Sequence, residues 1–496
     1  MHYANIQKRF SFKTSFKLAS CAGLVALGDF LFFDVPVGWT LGLFGLVLLL
    51  AVRCHSNPMG RRRATDIATL ATLGLSLALI EMPTVETLVL YSFSIMTLAL
   101  LPKLSRLDDA RMLARSLLRY LFRGWIRLLM DGLMISHVLK RLQKRNGRKR
   151  SFVRHWLLPC VMSGIFVLLF AKANPIITQW LDKIEWYGLM QYLSFSRICF
   201  ATAIALSSWA LIRPKFKHPL KKAPSELKTK QPFTLTALLF NERSITTSLL
   251  LFNGLFLVQN LMDVAFLWSG TALPEGMTYA SYAHQGAYPL IATALLAAAF
   301  VLIALKPGSA TEQVSVIRNL VFAWVGQNIF LVLSSIIRTV GYIEEYSLTY
   351  LRVAALIWMV LVALGLVLII ARIRLRKTNL WLINANSMAM VATLYLCCFI
   401  NVGGFIAWHN VTHASEVTQH GTPLDVGYLT RSIGVEAIPA LLWFEHHYPH
   451  SGKLHAVQDA RQSLAAELDD SMNDWRRWNF REFRIARAIA SPTYRY

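Results

Sequence analysis

The chain has 496 residues, of which 55% are hydrophobic and only 16% are charged, and its mean hydropathy is +0.45. A soluble domain of this composition would have no place for its apolar surface, so an ordinary soluble protein is excluded. The formal net charge is +24. The basic residues fall between long apolar runs, which indicates contact with anionic lipid headgroups rather than with nucleic acid.

Apolar segments recur along the whole chain. A helix needs about 20 apolar residues, and no fewer than roughly 17, to cross the hydrocarbon core of a bilayer. In chain order the predicted spans are 16–33, 35–52, 65–80, 85–101, 156–171, 195–212, 245–268, 283–305, 316–340, 351–373 and 385–408. The sequence therefore predicts an all-α fold, a polytopic membrane helical bundle of about eleven spans with a small, mainly helical C-terminal tail.

Breaks in hydropathy divide the chain into six segments. Two of them, the linkers, are strongly basic, and the last is polar. The segments are N-terminal transmembrane hairpins at 1–101, a basic amphipathic linker at 102–155, a transmembrane hairpin at 156–212, a second basic linker at 213–243, a C-terminal transmembrane bundle at 244–408 and a soluble tail at 409–496.

The charges predict how the spans are oriented. Lys and Arg concentrate in alternate loops, and cytoplasmic loops carry an excess of these residues. With a cytoplasmic N-terminus this parity fits almost every loop, and an odd number of spans places the tail in the periplasm. We therefore predict a multi-pass protein of the bacterial inner membrane, with both basic linkers in the cytoplasm.

The first basic linker contains arginines four residues apart, with leucines and a tryptophan between them. The arginines are Arg111, Arg115, Arg119, Arg123 and Arg127. A cationic face beside apolar side chains is typical of a helix that lies flat in the headgroup region. Membrane lipids are thus the predicted partners of the linkers. The alternative is a docking surface for an acidic protein partner, and no nucleic-acid partner is predicted.

Polar side chains interrupt two of the later spans, where each is costly in hydrocarbon. They are Gln259, Asn260, Asp263, Gln327, Asn328 and Arg338. Two interpretations stay open: a polar pocket that faces outward, or hydrogen bonds that hold neighbouring helices together. The predicted topology places Arg338 and Arg352 at the same end as Asp263, so either arginine is a candidate partner for the carboxylate.

Catalytic and cofactor signatures are the next question. The sequence contains no P-loop, dinucleotide-binding glycine motif, HExxH motif or nucleophile elbow. Histidines cluster at 409–420 and at 446–450, but Gly421 and Pro423 interrupt the first run. We predict no metal site and no cofactor, and a role other than catalysis is favoured.

Several stretches resemble a family of bacterial membrane proteins described as a domain of unknown function (the 4153/4173 group). The segment 273–283, LPEGMTYASYA, is similar to a signature of that family, with Ser281 in place of an acidic residue. The other similar stretches are 338–352, 401–410, 424–429, 437–441 and 475–479. The resemblance covers the chain from about residue 245 onward, with a looser similarity of the early hairpins, and implies a fold and a membrane location without a reaction.

The resemblance and the predicted topology point to the same candidate cluster at the outer end of the spans. Its members are Asp263, Glu275, Tyr279, Tyr282, Arg338, Arg352, Asp425 and Tyr428. Three hypotheses follow for the function. The first is a membrane scaffold or signalling accessory of the cell envelope, the second a secondary transporter or lipid carrier, and the third an enzyme that modifies envelope lipids, with Asp425 or Glu275 beside a histidine.

Overall fold

The computed structural model describes residues 2–56, 62–103, 109–124, 131, 159, 162–163, 194–214, 241–265, 293, 296, 300 and 314–490. Over these residues the secondary structure is helical, which confirms the predicted all-α fold class. The chain divides into two compact units. Unit 1 comprises residues 1–105 and 111–217, and unit 2 comprises residues 106–110 and 218–496.

Unit 1 contains six helices in its described part. They are α1 (His2–Phe32), α2 (Thr40–His55), α3 (Arg62–Glu81), α4 (Val85–Leu100), α5 (Ala110–Gly124) and α6 (Phe195–Ile212). Thr84 caps α4 by accepting a hydrogen bond from the Thr87 amide at 3.3 Å, which satisfies a donor that the first turn leaves open. Asp34, with φ of 59°, turns the chain between α1 and α2.

The described part of unit 2 contains four long helices and then a group of shorter ones. The long helices are α7 (Glu242–Asp263), α8 (Ser315–Tyr346), α9 (Tyr350–Arg374) and α10 (Asn379–Cys397). The shorter ones are α11 (Val402–Thr412), α12 (Ile438–His447), α13 (Leu454–Asn473) and α14 (Phe480–Ala490). Four helical turns between α11 and α12 complete it: Ser415–Thr418, Val426–Tyr428, Leu429–Ile433 and Gly434–Ala437.

Seven described helices are long and apolar enough to cross a membrane, namely α1, α3, α6, α7, α8, α9 and α10. Two shorter apolar helices, α2 and α4, coincide with further predicted spans. The predicted spans 156–171 and 283–305 lie outside the described residues, apart from a few isolated positions. The protein is therefore a multi-pass membrane protein.

The predicted span 385–408 is wrong in its bounds. The structure ends α10 at Cys397 and starts α11 at Val402. Asn401 begins the new helix, since its side chain accepts a hydrogen bond from the Gly404 amide at 2.8 Å. The inner face of α11 is buried against the later helices, with Ile406 and Val411 fully enclosed. Hydropathy alone joins two helices that the tertiary structure separates.

The residues 402–490, hereafter the C-terminal domain, form one hydrophobic core around α11 and α12. Phe444 and Leu441 on α12 are fully buried there, together with Val457 on α13. The same core includes Ile343 and Leu348, which flank the turn between α8 and α9. The C-terminal domain is therefore packed on this turn as one body, rather than attached by a flexible linker.

Candidate functional site

A buried ion pair joins α7 to α8. The Arg338 guanidinium donates to Oδ1 of Asp263, and the two side chains are 7% and 1% exposed. Gln259, one turn before Asp263, donates to the same oxygen at 3.1 Å. Of the two candidate partners for Asp263, the structure thus has Arg338. A fully enclosed carboxylate and guanidinium neutralise each other, which lowers the cost of placing either charge in a membrane helix.

Amide side chains continue the polar contact along the same helix pair. Nε2 of Gln327 donates to Oδ1 of Asn253 at 3.1 Å, and Nδ2 of Asn253 donates to the Leu320 carbonyl at 3.1 Å. Asn328, fully buried on α8, donates to the Trp324 carbonyl of its own helix at 2.8 Å. The two bonds of Asn253 connect α7 to α8, which corresponds to the interhelical interpretation of the intramembrane polar residues, whereas the bond of Asn328 stays within α8.

Some oxygen atoms in this polar row are buried and accept no hydrogen bond from the described residues. They are Oδ1 of Asn260, Oδ2 of Asp263 and Oε1 of Gln327. Asn260 instead uses its amide group, which donates weakly to the Gln327 carbonyl at 3.4 Å. Buried acceptors without donors are costly, so this part of the interface is the place where an additional polar group would be stabilised.

Arg352 belongs to a different contact, at the turn between α8 and α9. It donates to the carbonyl oxygens of Tyr346, at 2.5 Å, and of Ser347. Its guanidinium also lies 4.3 Å from the ring centroid of Tyr342, one helical turn beyond Arg338 on α8. Arg352 therefore holds the end of α8, whose carbonyls lack partners within the helix.

Asn410 joins the C-terminal domain to this turn. Its side chain accepts from the Leu348 amide at 2.7 Å and donates to the Leu348 carbonyl at 2.9 Å. Both residues are buried. The preceding residue, Ser347, has φ of 66°, a left-handed conformation that is unfavourable for a residue other than glycine. The two hydrogen bonds from Asn410 stabilise this strained turn.

Asp425 and Tyr428 lie on the C-terminal domain and also contact the turn. The Asp425 carboxylate accepts from the Tyr428 amide at 2.9 Å, which caps the short helix Val426–Tyr428. The Tyr428 hydroxyl in turn accepts from the amide of Tyr350, the first residue of α9, at 3.1 Å. Asp425 therefore positions a tyrosine that satisfies an open donor at the start of α9.

The predicted cluster is thus distributed over two bonded groups. Asp263 and Arg338 form the first, within the helix pair, while Arg352, Asp425 and Tyr428 belong to the second, around the α8–α9 turn. Its other three predicted members lie outside the described residues: Glu275, Tyr279 and Tyr282.

A further pair, Glu436 and Arg481, is not among the residues that the sequence pattern indicates. Arg481, buried on α14, donates to Glu436 at 2.7 Å beside α11. Gly403 makes room for this pair, because a Cβ atom there would lie 1.8 Å from Oε2 of Glu436 and 2.5 Å from the Tyr350 hydroxyl. A glycine within an otherwise helical segment was the available signal of this close approach.

His409 on α11 stacks on His413, the residue that follows this helix. The rings of His409 and His413 are parallel, with centroids 4.2 Å apart. Burial lowers the pKa of His409 below its ordinary value, and the neighbouring His413 lowers it further, whereas contacts with Asn410 and Glu344 act in the opposite direction. Within the described part of the chain, no three His, Cys, Asp or Glu side chains are grouped so as to hold a metal ion.

Comparison with known proteins identifies a family. Neither the curated proteins nor the solved structures contain a significant match. A family model described as "Domain of unknown function (DUF4153)" matches residues 67–442. The match begins in α3, so it includes part of the early hairpins, whose similarity to the family is looser, and it ends before the stretch 475–479. Because it spans well over half of the 496 residues, the chain belongs to the DUF4153 family of domains, as the sequence motifs predict.

Proposed function

We propose that this chain is a membrane scaffold or signalling accessory of the bacterial inner membrane, in which the C-terminal domain binds a protein partner on the periplasmic side. The observation that carries the proposal is the shared core of the C-terminal domain and the α8–α9 turn, which includes Ile343 and Leu348. A domain fixed in this way cannot shift without moving the ends of both membrane helices. A binding event outside the membrane would therefore act on the spans themselves.

The contacts along α8 extend this connection into the membrane. Tyr342, one turn after Arg338, lies against Arg352, and Arg352 donates a hydrogen bond to the α8–α9 turn. Asn410 forms its hydrogen bonds with the same turn. A movement of the C-terminal domain would thus act on the helix that carries the Asp263–Arg338 pair. A two-state element that an outside event biases is the physical requirement for a signalling device. The Asp263–Arg338 pair is the element that we propose for this role.

The experiment is quantitative mass spectrometry of the protein purified gently from native membranes. We expect a stoichiometric protein partner with the wild type and with the control variant Asn386→Ala, because among the described residues Asn386 bonds only its own helix, at Leu382. Asn410→Ala should retain several-fold less partner, since the C-terminal domain loses both hydrogen bonds to the backbone of Leu348. Absence of any partner, or equal recovery with both variants, would contradict the proposal.

The orientation has a separate test. A reporter that functions only in the periplasm, fused after Tyr496, should be active, whereas a cytoplasmic reporter at the same place should be silent. The physical basis is the basic end of α9, with Arg372, Arg374 and Lys377, which favours the cytoplasmic side. Activity of the cytoplasmic reporter would mean that the C-terminal domain lies in the cytoplasm, and the partner would then be sought there.

A second candidate function is a secondary transporter or lipid carrier, and a specific observation favours it. Three buried oxygens accept no hydrogen bond within the described part of the chain, namely Oδ1 of Asn260, Oδ2 of Asp263 and Oε1 of Gln327. Such groups are common along the polar routes of carriers. Uptake of labelled solutes or a lipid dye into proteoliposomes, abolished by Asp263→Asn, would support it. Uptake that survives this substitution would count against it.

A further inference from the structure

Formal charge is missing from a long stretch of unit 2. Residues 378–415 contain no Asp, Glu, Lys or Arg. The stretch includes α10 and the whole of α11, although α11 belongs to the C-terminal domain. The 19 residues of α10 rise about 28 Å, which is close to the thickness of about 30 Å of the hydrocarbon core of a bilayer. The charge-free stretch therefore extends beyond the residues that the span α10 requires.

Helix α11 carries apolar side chains on two opposite faces. Ile406 and Ala407 are fully enclosed in the core of the C-terminal domain. On the other face, Phe405 and Trp408 are 58% and 46% exposed. A helix at the surface of a water-soluble domain has charged and polar residues on its outer face. The outer face of α11 has aromatic rings there instead, so it is suited to an apolar neighbour.

Contacts with α9 place α11 at the end of the spans. Asn410 bonds the backbone of Leu348, just before α9, and Gly403 lies next to the hydroxyl of Tyr350, the first residue of α9. Only residues 398–401 separate α11 from the end of α10. Both α9 and α10 are long and apolar enough to cross a membrane. Helix α11 therefore lies at the level where these two spans reach the surface of the bilayer.

We propose that α11 is an interfacial helix, with Phe405 and Trp408 among the headgroups and upper acyl chains of the bilayer and its inner face against the C-terminal domain. Tryptophan is enriched at this depth, because its ring is apolar and its N–H group is polar. The neighbour of this face is lipid, because the charge-free surface continues into α10 through Phe399 and Ile400, which are 46% and 56% exposed. The C-terminal domain is thus anchored to the bilayer as well as to the α8–α9 turn.

The first test compares two tryptophans of the wild type by hydroxyl-radical footprinting, which oxidises side chains that water reaches. The protein is reconstituted as a single copy in nanodiscs of phosphatidylethanolamine and phosphatidylglycerol, and oxidation is read for each peptide by mass spectrometry. Trp408 and Trp475 are 46% and 50% exposed in the protein itself. Trp475 stands between Asp474 and Arg476, which form an ion pair, and serves as the matched control. Trp408 should be oxidised several-fold less than Trp475, because lipid covers it.

The second test puts a charge on the outer face of α11. Phe405→Glu should raise the oxidation of Trp408 several-fold in the same nanodiscs, because a carboxylate draws this face toward water. Phe405→Leu keeps the face apolar and should keep Trp408 protected. Phe483→Glu on α14, where Phe483 is 38% exposed, is the control for the added carboxylate and should also leave Trp408 protected. Unchanged oxidation of Trp475 in Phe405→Glu and Phe405→Leu shows that the C-terminal domain has kept its fold.

Three results would overturn the proposal. One is equal oxidation of Trp408 and Trp475 in the wild type, a measurement that needs no variant to fold. Another is protection of Trp408 that appears only in nanodiscs with two copies, which would mean that a second copy covers the face. The third is full protection of Trp408 in a folded Phe405→Glu protein. None of these results depends on a protein partner, so the proposed function is tested separately.

Discussion

Each unit contains an ion pair between an aspartate near the end of one membrane helix and an arginine on another, but the two pairs differ in burial. In unit 1, two nitrogens of Arg197 on α6 donate hydrogen bonds to the carboxylate of Asp29 on α1, at 2.5 and 2.8 Å. Both side chains are 22% exposed. In unit 2, Asp263 is 1% exposed and Arg338 is 7% exposed. The same chemistry therefore operates in two environments.

This difference determines what each pair contributes. An ion pair that reaches the surface can exchange one partner for water or a lipid headgroup, so removal of either residue costs little. An enclosed pair leaves a buried charge without its counter-ion when one partner is removed, and that charge is shielded from water. The unit 2 pair also lies on α8, the helix that carries the C-terminal domain, whereas the unit 1 pair also receives support from the ring of Phe33, 4.9 Å from the Arg197 guanidinium.

The largest effect is expected from Asp263→Ala. It leaves the Arg338 guanidinium buried without its carboxylate, so the free energy of unfolding should fall by about 3–5 kcal/mol. Asp29→Ala in unit 1 should cost about 1 kcal/mol, as expected for a partly exposed pair. Unfolding by a denaturing detergent in mixed micelles measures both values.

A double variant separates the loss of a pair from the isolation of a charge. Asp263→Ala with Arg338→Met removes both charges, and it should recover most of the stability that Asp263→Ala loses. Equal losses for Asp263→Ala and Asp29→Ala would show that burial does not distinguish the two units.

The next largest effect concerns the attachment of the C-terminal domain, for which the described part of unit 1 has no counterpart. Asn410→Ala leaves both the amide and the carbonyl of buried Leu348 without their partner, and should cost about 3 kcal/mol. Hydrogen exchange should rise at residues 346–350 while α3 and α4 keep their protection. The control Asn386→Ala should cost less than about 0.5 kcal/mol, because within the described part of the chain that side chain bonds only its own helix. Uniform exchange over both units would argue against a local attachment.

Gly403→Ala is expected to have a smaller effect, again confined to unit 2. The new methyl group would collide with the Glu436 carboxylate and the Tyr350 hydroxyl, and should reduce stability by about 2 kcal/mol. Gly326→Ala on α8 is the control, since a Cβ atom there meets nothing within 4 Å, and it should be neutral or slightly stabilising. Thermal unfolding of the purified protein compares the two. If Gly326→Ala were destabilised and Gly403→Ala were unaffected, the close approach of Glu436 and Tyr350 to Gly403 would not be what limits this position.

The smallest effect is a pH dependence of the C-terminal domain. The pKa of His409 is lowered, chiefly by burial, so the folded state favours the neutral ring. Stability from this group is therefore fully present above its unfolded pKa of about 6.5, and declines as the pH falls from there through the lower folded pKa. The melting temperature should decrease over that range in the wild type and less so in His409→Gln. An identical pH profile for both proteins would remove His409 as the cause.

The sequence by itself determined the class of the protein and most of its helices. The helix Phe195–Ile212 agrees with the predicted span at both ends. Whether a segment crosses a bilayer depends on its hydropathy and its helix length, and both are local properties of the sequence. The motifs likewise identified the family. The two charges of the unit 2 pair were also recognised, since polar residues are conspicuous in apolar helices.

Only the tertiary structure decided which groups meet. Asp263 bonds Arg338, 75 positions away. From the sequence alone, Arg352 was an equally good candidate for this contact. Asn410, Glu436 and Arg481 act on residues that lie far from them in sequence, and the split between α10 and α11 follows from burial in the C-terminal core. The physical reason is that hydropathy depends on a residue and its near neighbours, whereas the partner of a buried charge or amide depends on how distant helices pack.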